Sequence, residues 1–563
     1  MTIIGIDLGT TNSACGYWQD GEIRLIPNRS GDYLTPSVVG LDGNNNVIVG
    51  KVARNRLITH PDNTVGVFKR LMGTNHQVSL GKRRFTATEL SAFVLKALKE
   101  DAEAHLGEEV TEAIISVPAY FNDNQRHATK QAGEIAGLTV RRLINEPTAA
   151  ALAYGLHERA EGMFVVLDMG GGTFDVSILE YFDGIMEVHA SAGDNFLGGE
   201  DFLEAMVVSF CKAVDVDKDK LGKSELQQLY DRLEQIKRKI HTQDSMLLEM
   251  ELRGKQVQFE ATPEWFKECT LPQLMRVRHP IEQALRDANL RVADVTEVLL
   301  VGGATRMPVF RNMVGTLFKR IPAGHLDPDL VVAMGAAVQA GLKARDKTLD
   351  DVVLTDVCPY TLGTEVVDPS GSGKPGFFLP LIERNSVVPT SHVETLMTVS
   401  KNQQRMEVNV FQGEHRLVEQ NVFLGSVSVA VPKGAAGEQT IDVRYSYDMN
   451  GLLEVDVKVN STGQVINHVI EQSPGALSQE EVEKSRARLA GLKFHPREKE
   501  ENLVLISRAE KLYLTSLGEM RTLVGRYLSE FESVLDTQKE TEIAKARDRF
   551  SEVLDQLDPG SIL

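Results

Sequence analysis

The sequence predicts an α/β domain made of two related lobes, followed by an all-β module and a helical tail. Up to about residue 345, short β-rich apolar runs alternate with helical patterns, which is typical of α/β domains. Between residues 357 and 474 the apolar residues recur with a period of two, which indicates strands. After residue 475 the pattern becomes helical and highly charged.

The length and charge of the chain restrict its class. With 563 residues it has room for three or four domains, each with its own core. Its 61 basic and 79 acidic side chains give a net charge of −18, and the sequence pI is about 5.3. This charge argues against nucleic acids and anionic membranes as partners, because both need a basic face.

Targeting signals and cysteine usage predict a cytoplasmic protein. The first ten residues carry no basic start, so we expect no signal peptide. No apolar run approaches the roughly 18 residues of a membrane helix. The four cysteines lie far apart, which fits reduced thiols better than a disulfide framework; they are Cys15, Cys211, Cys269 and Cys358.

The α/β region contains recognisable buried strands and amphipathic helices. The strand patterns are Ile3–Ile6, Ala113–Val117, Phe164–Leu167 and Val298–Val301. Thr88–Leu106 and Leu226–Ile240 have helical apolar spacing.

A strand–turn–strand unit occurs twice within this region. The first strand leads into Asp7-Leu-Gly-Thr-Thr11, and Val165–Leu167 leads into Asp168-Met-Gly-Gly-Gly-Thr173. The two aspartates are about one domain's length apart, so the repeat suggests two related lobes that face each other across a cleft. The alternative is two unrelated glycine-rich hairpins.

The two turns have the composition of a polyphosphate site. Glycines let the backbone approach a ligand closely, and consecutive turn amides bind anions. Threonine hydroxyls add donors, and an aspartate can hold Mg²⁺ through its water shell. A third turn, Gly302–Arg306, follows a strand and could accommodate a nucleoside with the guanidinium on the base. On its own it would be an ordinary strand–loop–helix connection.

Beyond the α/β region, a short stretch with charges around apolar residues precedes the all-β module. Ile441–Tyr447 and Leu453–Val459 alternate apolar and polar residues around Asn450-Gly451, which is a strong hairpin signal. A sandwich is the most plausible arrangement of residues 357–474. The charged helical tail has too little apolar surface for an independent domain, so we expect it to pack on a neighbour.

Several segments together resemble the seventy-kilodalton heat-shock chaperones of the DnaK type. They are Gly5–Ser13, Val117–Asn122, Asn145–Ala150, Asp168–Asp175 and Leu197–Phe202. The resemblance covers nearly the whole chain, and the short C-terminus is most similar to the bacterial HscC-type branch. It implies an actin-like ATPase domain with ribonuclease-H-like duplicated lobes (1–345), a linker (346–356), a substrate-binding β-sandwich (357–474) and a shortened helical lid (475–563).

The resemblance also implies a function. The protein would be an ATP-dependent chaperone that binds extended hydrophobic segments of unfolded proteins, with ATP hydrolysis switching its affinity for them. Hydrolysis would be slow and stimulated by peptide and by a J-domain co-chaperone. ATP or ADP, Mg²⁺ and K⁺ would be the cofactors. The protein is expected to be a monomer with a specialised client range, and its need for an exchange factor is open because the segment 241–280 is short.

Site residues follow from the same resemblance. The catalytic positions are Asp7, Lys69, Glu146, Asp168 and Thr173. Asp7, Asp168 and Asp194 would order the cations, mostly through water. The nucleotide would be bound by Gly9, Thr10, Thr11, Asn12, Gly170, Gly171, Gly172, Thr173, Gly198, Gly199, Glu234, Lys237, Arg238, His241, Gly302, Gly303, Arg306 and Asp329. His241 replaces a serine that is usual in the family, which puts nucleotide affinity in question.

Two further sets would serve the client and the communication between domains. The peptide groove would comprise Thr364, Val367, Leu396, Val399, Met406 and Val408, of which the alternating strand residues could also be ordinary sandwich core. Met406 is larger than the residue usual at the central pocket, so we expect a narrower, more selective pocket. Interdomain and J-domain contacts would involve Pro118, Arg126, Arg142, Asn145 and Asp356.

Two other classes share duplicated actin-like lobes: sugar or acetate kinases, and filament-forming actin relatives. Neither needs a β-module on an apolar tether, and the first 345 residues show no acceptor site for a small molecule. Both alternatives are therefore disfavoured.

Overall fold

The computed structural model describes residues 2–155, 161–182, 185–323, 326–346, 349, 353–368, 374–469, 482, 484, 485, 500–516, 518–535 and 540–557. The linker residue Val352 and the predicted boundary at 474–475 lie outside the described residues. None of the described helices is both long and apolar enough to cross a bilayer.

Lobe I is built on a mixed sheet with the order β11-β10-β1-β2-β3. Its strands are β1 (Ile3–Asp7), β2 (Asn12–Gln19), β3 (Glu22–Ile26), β4 (Thr35–Pro36), β5 (Val39–Leu41), β6 (Val47–Val49), β7 (Thr64–Val65), β8 (Gln77–Leu80), β9 (Arg83–Thr86), β10 (Glu112–Val117) and β11 (Thr139–Asn145). Its helices are α1 (Lys51–Thr59), α2 (Ala87–Leu106), α3 (Asp123–Ile135) and α4 (Glu146–Ala153). Thr86 caps α2 in a reciprocal capping box with Glu89.

Lobe II repeats the same strand–turn–strand start, in a sheet with the order β17-β12-β13-β14-β18. Its strands are β12 (Gly162–Met169), β13 (Phe174–Phe182), β14 (Ile185–Asp194), β15 (Met246–Leu252), β16 (Lys255–Ala261), β17 (Glu297–Val301) and β18 (Val353–Leu354). The helices that follow are α5 (Gly199–Ala213), α6 (Lys223–Lys239), α7 (Pro263–Asp287), α8 (Pro308–Phe318) and α9 (Val331–Lys343).

Helix α9 follows the last helices of lobe II along the chain but packs on lobe I. It crosses back onto β1 of lobe I, and a Cβ on Gly335 would lie 1.7 Å from the carbonyl oxygen of Ala149 in α4. Only glycine permits so close an approach of the two helices. The observed strands and helices match the patterns read from the sequence, with ends that differ by a few residues.

The all-β module is a sandwich of two four-stranded sheets, β21-β20-β24-β25 and β23-β26-β27-β28. The strands of these sheets are β20 (Leu362–Val366), β21 (Phe377–Ile382), β23 (Thr390–Met397), β24 (Arg405–Gln412), β25 (Val422–Ala430), β26 (Thr440–Tyr447), β27 (Leu453–Val459) and β28 (Val465–Val469). The short strands β19 (Asp356–Val357) and β22 (Val387–Val388) pair with each other in a separate two-stranded sheet. The alternating residues Ile441, Val443 and Tyr445 are fully buried between the sheets, as their period of two requires.

Three helices, here called the tail bundle, end the described chain: α10 (Glu500–Thr515), α11 (Gly518–Leu535) and α12 (Glu540–Leu557). Their shared core includes Phe531 and Phe550, whose rings are 4.7 Å apart. Helix α10 packs on α1 of lobe I. The tail therefore does pack on a neighbour, and that neighbour is the α/β region.

Candidate functional site

The two glycine-rich turns meet in the cleft between the lobes. A Cβ on Gly171 would lie 2.4 Å from Cγ2 of Thr11, and one on Gly172 would lie 2.7 Å from Oγ1 of Thr10. The turns can approach this closely only because glycine occupies both positions in lobe II. The structure thus brings together the turns that the internal repeat predicted to face each other.

Each turn is fixed by hydrogen bonds to its own lobe. In lobe I, the N–H of Gly9 donates to Oγ of Ser13 (3.2 Å), and Oγ of Ser37 donates to the Gly9 carbonyl (2.8 Å). In lobe II, the N–H of Gly170 donates to the carbonyl of Thr173 (3.2 Å). Asn12 begins β2 directly after the first turn.

A further pair of glycines, Gly198 and Gly199, packs against the glycine-rich turn of lobe II. Gly198 precedes α5, and a Cβ there would lie 2.5 Å from the Gly171 carbonyl oxygen. The N–H of Gly199 donates to the Gly170 carbonyl (2.9 Å). Arg70 of lobe I crosses to this turn, where its Nε donates to the Gly172 carbonyl (3.1 Å) and its guanidinium pairs with Asp201 of α5.

Buried carboxylates lie behind the turns. Asp168 and Asp175 face each other across β12 and β13, and Asp7 accepts a 2.8 Å hydrogen bond from Oγ of Ser116. Burial, together with the charge of Glu146, raises the pKa of Asp7 and of Asp175 to about 7. The same causes raise the pKa of Asp168 well above its usual value. Like charges so close together in a buried site favour a bound cation.

A buried ion pair stands beside these carboxylates. Nζ of Lys69 lies 2.8 Å from Oε1 of Glu146 and 5.4 Å from the ring centroid of Phe121. Both side chains are almost inaccessible to solvent. Lys69 is thus a buried, paired lysine and not a solvated surface residue. A rigid ammonium group in such a place can neutralise charge that develops on a phosphate.

The carboxylate oxygens fit a hard cation. Oδ2 of Asp168 and Oδ2 of Asp175 are buried, and neither has a hydrogen-bond partner. Unpaired buried oxygens are costly, and Mg²⁺ or K⁺ with its waters would satisfy them. Within the described ranges no three His, Cys, Asp or Glu side chains are grouped tightly enough to hold a metal ion directly. The observation that fits a bound cation is the pair of unpartnered oxygens on Asp168 and Asp175.

Asp175 was not among the residues assigned from the sequence, whereas Asp194 was. The contacts of Asp194 are different: its Oδ2 pairs with Arg276 at 2.6 Å, and its Oδ1 accepts from the Phe196 N–H (2.9 Å). Asp175 accepts the N–H of Tyr120 (2.8 Å) and belongs to the buried carboxylates. The signal that the sequence offers for Asp175 is its place at the end of the second-turn motif, and the hairpin register of the structure places it opposite Asp168.

The adenosine-binding candidates gather at one place in lobe II. On α6, Glu234 pairs with Lys237 (2.6 Å) and Arg238 (2.8 Å), as the helical spacing predicts. Nζ of Lys237 also donates to the Gly199 carbonyl (2.9 Å), which ties α6 to the turn supports. His241 lies exposed in a short 3-10 helix after α6.

The turn Gly302–Arg306 forms the other side of the group of adenosine-binding candidates. Gly302 has a positive φ of 80°, and a Cβ there would lie 2.3 Å from the Met169 carbonyl oxygen. A Cβ on Gly303 would lie 2.3 Å from Oδ1 of Asp329. Nε of Arg306 donates to Oδ2 of Asp329 (3.0 Å). Glycine is required here, and the arginine is held by its acidic neighbours.

Residues predicted to connect the domains lie at one interface. Nη2 of the buried Arg126 donates to Oδ1 of Asn145 (2.8 Å), and Nδ2 of Asn145 donates to Oδ2 of Asp356 (2.7 Å). Arg142 donates to Oε1 of Gln339 (2.9 Å). Pro118 is buried at the end of β10. Asp356 begins β19, which pairs with β22.

The sandwich itself docks against lobe I beside these residues. The Leu143 N–H donates to Oδ1 of Asn450 (3.2 Å), in the predicted hairpin turn. The Leu453 N–H donates to Oδ1 of Asp123 (3.3 Å), and the Asp123 N–H donates to Oε1 of Gln412 (3.3 Å). Asp123 is fully buried, and this burial raises its pKa to about 7.

The predicted groove residues divide into buried and accessible ones. Thr364, Met406 and Val408 are buried in the sandwich, and Oγ1 of Thr364 donates to the Asn409 carbonyl (2.8 Å). Leu396 is partly buried, while Val399 is 59% exposed. Val367 is half-buried after β20.

Comparisons with known proteins identify the family. The model of the Hsp70 protein family matches residues 3–80 and 74–558. The chain is also 40% identical over 528 residues to the chaperone protein DnaK of Thermotoga neapolitana, which covers 91% of this chain and 87% of that relative. The chain therefore belongs to the Hsp70 family.

Family membership fixes the class of activity. The chain is an ATP-dependent chaperone involved in protein folding, and it hydrolyses ATP. Hsp70 proteins have an actin-like ATPase domain, a β-sandwich and a helical lid, and the two lobes, the sandwich and the tail bundle of this structure are consistent with that order.

Proposed function

We propose that nucleotide in the cleft controls how firmly the sandwich holds an extended apolar segment of a client. The observation that carries this proposal is the linker strand β18, which adds to the edge of the lobe II sheet. Val353 pairs with Ile185, Leu354 pairs with Met186, and the Thr355 N–H donates to the Met186 carbonyl (3.0 Å). A linker bound as a sheet strand ties the position of the sandwich to the shape of the lobes.

Coupling of this kind is reciprocal. If ATP favours the docked arrangement and an extended peptide favours a released sandwich, then ATP weakens peptide binding and peptide weakens docking. The chain Arg126–Asn145–Asp356 is one route, since Asn145 directly precedes Glu146 of the buried ion pair. Release of the sandwich would thereby disturb the hydrolytic centre.

The hydrolytic centre would work by positioning and charge neutralisation. Bound Mg²⁺ and K⁺ would neutralise phosphate charge. Asp7 and Asp168 would hold these cations through water, and Asp175 would join them. The assignment of Asp194 to the cations stays a prediction. Its ion pair with Arg276 argues against this role. Lys69, held by Glu146, would face the transferred phosphate, and Thr10, Thr11 and Thr173 would donate to phosphate oxygens.

Binding of the nucleoside would use the place between α6 and the third turn. Glu234, Lys237 and Arg238 would line one side, and Gly302, Gly303, Arg306 and Asp329 the other. His241 would lie at the rim, where it offers a ring in place of a small hydroxyl. Gly9, Asn12, Gly170, Gly171, Gly172, Gly198 and Gly199 would supply the close backbone of the phosphate site.

The remaining features of the proposal concern partners and organisation. We propose domain boundaries at 1–345, 346–356, 357–474 and 475–563, and a specialised role like that of the HscC-type branch.

A J-domain co-chaperone would use Arg142, Asn145 and Asp356. The protein would act in the cytoplasm as a monomer, where its four free thiols are stable. The groove would select clients through Thr364, Val367, Leu396, Val399, Met406 and Val408.

Peptide release measured with each nucleotide tests this function. A fluorescent extended apolar peptide is bound to the full-length chain, and its dissociation is followed after addition of excess unlabelled peptide with ATP or with ADP. Dissociation should be much faster with ATP. Leu354→Asp, which places a charge on the linker strand, should reduce this difference. Equal dissociation rates with both nucleotides in the unaltered chain would refute the proposal.

A further inference from the structure

Helix α10 of the tail bundle lies across both rims of the nucleotide cleft. The rim of lobe I is formed by α1 and the rim of lobe II by α6, and the two meet where Oγ of Ser224 donates to the Ile58 carbonyl (3.0 Å). Lys223 also pairs with Asp62 across this gap. The cleft is therefore narrow at this point, and any element bound to both rims would resist its opening.

The contact of α10 with lobe I is mainly apolar. Leu503 and Val504 pack against a small buried cluster next to α1 that consists of Val38, Ile48, Val52 and Ala53, with Leu57 beside it. Nδ2 of Asn55 donates to Oγ of Ser507 (3.2 Å), so one polar bond fixes the register of α10 on α1. This half of the contact holds α10 on lobe I, mainly through burial of apolar side chains.

The contact of α10 with lobe II is polar and direct. Nζ of Lys511 lies 2.6 Å from Oδ1 of Asp231, and the two side chains are only 17% and 22% exposed. Nη2 of Arg232 donates to the carbonyl of Thr515, the last residue of α10, at 2.6 Å. A cation at a helix C-terminus is favourable because the terminal carbonyls carry partial negative charge.

Asp231 and Arg232 belong to the same helix as the adenosine-binding candidates. Glu234 follows them by less than one turn of α6, so α10 contacts the helix that carries three of the adenosine-binding candidates. The opposite rim contributes the partly buried Arg54, which interacts electrostatically with Asp231 and Glu234. Opening the cleft would separate α10 from one of its two supports.

We propose that α10 is a clasp that joins the two rims of the cleft and slows the release of bound nucleotide. Its partner surface is the outer face of α6 at Asp231 and Arg232. When the tail bundle leaves this position, the rims can separate and nucleotide can dissociate. This inference rests on nucleotide binding in the cleft, as proposed above, but not on the switch in peptide affinity.

Nucleotide dissociation from full-length variants tests the clasp. A fluorescent ATP analogue is bound with Mg²⁺ and displaced by excess ATP in a stopped-flow instrument. Lys511→Ala should accelerate dissociation by about three- to tenfold, the effect of losing one partly buried ion pair. The matched control Lys545→Ala, an exposed lysine of the same bundle, should leave dissociation unchanged.

A charge exchange distinguishes loss of the Lys511–Asp231 ion pair from general damage to the tail bundle. Lys511→Asp alone should accelerate dissociation, and the double variant Lys511→Asp/Asp231→Lys should restore a rate close to the original. Unchanged dissociation in Lys511→Ala, or no recovery in the exchanged pair, would overturn the clasp. Peptide dissociation that still differs between ATP and ADP in these variants would show that the proposed function holds regardless.

Discussion

The hydroxyl of Tyr360, in the sandwich, donates a 3.0 Å hydrogen bond to the carbonyl of Tyr120 in lobe I, and the two rings lie 4.3 Å apart. The N–H of the same Tyr120 donates to Oδ1 of Asp175 (2.8 Å). Nδ2 of Asn195 donates to the Tyr120 carbonyl as well (2.9 Å). One residue thus connects the docked sandwich with the buried carboxylates of the ATPase centre.

The first prediction concerns this connection. Tyr360→Phe keeps the ring against Tyr120 but removes the hydroxyl, so the docked sandwich restrains the catalytic centre less. We expect basal single-turnover hydrolysis to rise about fivefold and stimulation by peptide to fall by a similar factor, as the loss of about 1 kcal/mol implies. Tyr445→Phe removes an equivalent 3.0 Å bond inside the sandwich and serves as the control. Unchanged stimulation by peptide would contradict the prediction.

The second prediction distinguishes two candidate carboxylates. Asp175→Asn removes a buried charge opposite Asp168 and should slow single-turnover hydrolysis about 100-fold. Asp194→Asn disturbs a partly exposed pair with Arg276 and should change the rate less than about twofold. Both variants are measured at saturating ATP and Mg²⁺. If Asp194→Asn is the slower enzyme, the assignment based on the sequence is right and the one based on contacts is wrong.

Much of this arrangement could be predicted from the sequence, because its signals are local. A few adjacent residues suffice to predict each of these features: the glycines of both turns, the strands before them and the Asn450-Gly451 hairpin. Asp175 was overlooked although it ends a motif, because its importance depends on a cross-strand register with Asp168. The register of this hairpin depends on the geometry of its turn, which the amino-acid sequence alone does not specify.

Contacts between distant segments could not be predicted in this way. Lys511 and Asp231 are 280 residues apart, about half of the chain, and each looks in the sequence like an ordinary surface charge. Asp123 likewise gives no sign in the sequence that the sandwich will bury it. Such partners are set by the docking of whole domains, so only the folded arrangement reveals them.

The third prediction concerns pH and docking. Around Asp123, its own helix contributes Arg126 and His127, and the sandwich contributes Asp448 and the Leu453 N–H. Burial lowers the pKa of His127 to about 4, so this ring is neutral near pH 7. The pKa of Asp123 is raised to about 7 when docked and would return toward its usual value in the released state.

A carboxyl with a raised pKa binds a proton more tightly in the docked state. Docking is therefore favoured at low pH, weakens by up to about tenfold per pH unit as the pH rises from the usual carboxyl range toward about 7, and levels off above that. Energy transfer between dyes on the sandwich and lobe II, with ATP present, should report a docked fraction that falls from about pH 5 to about pH 7 and changes little above about pH 8. Asp123→Asn should remove this dependence; a variant that retains it in full would show that another group is responsible.

The fourth prediction concerns Met406 and client selection. Met406 lies on β24 opposite Val429 and is only 6% exposed, so it fills space inside the sandwich. Met406→Val shortens this side chain, and the free volume should admit bulkier client residues. The smaller side chain should also lower the free energy of unfolding by about 1 kcal/mol, because the core repacks only partly. Peptide arrays and thermal unfolding measure the two effects. Met397→Val, at a site 58% exposed on β23, is the matched control. An unchanged array profile combined with a lower Tm would mean that Met406 supports the core and does not shape the pocket.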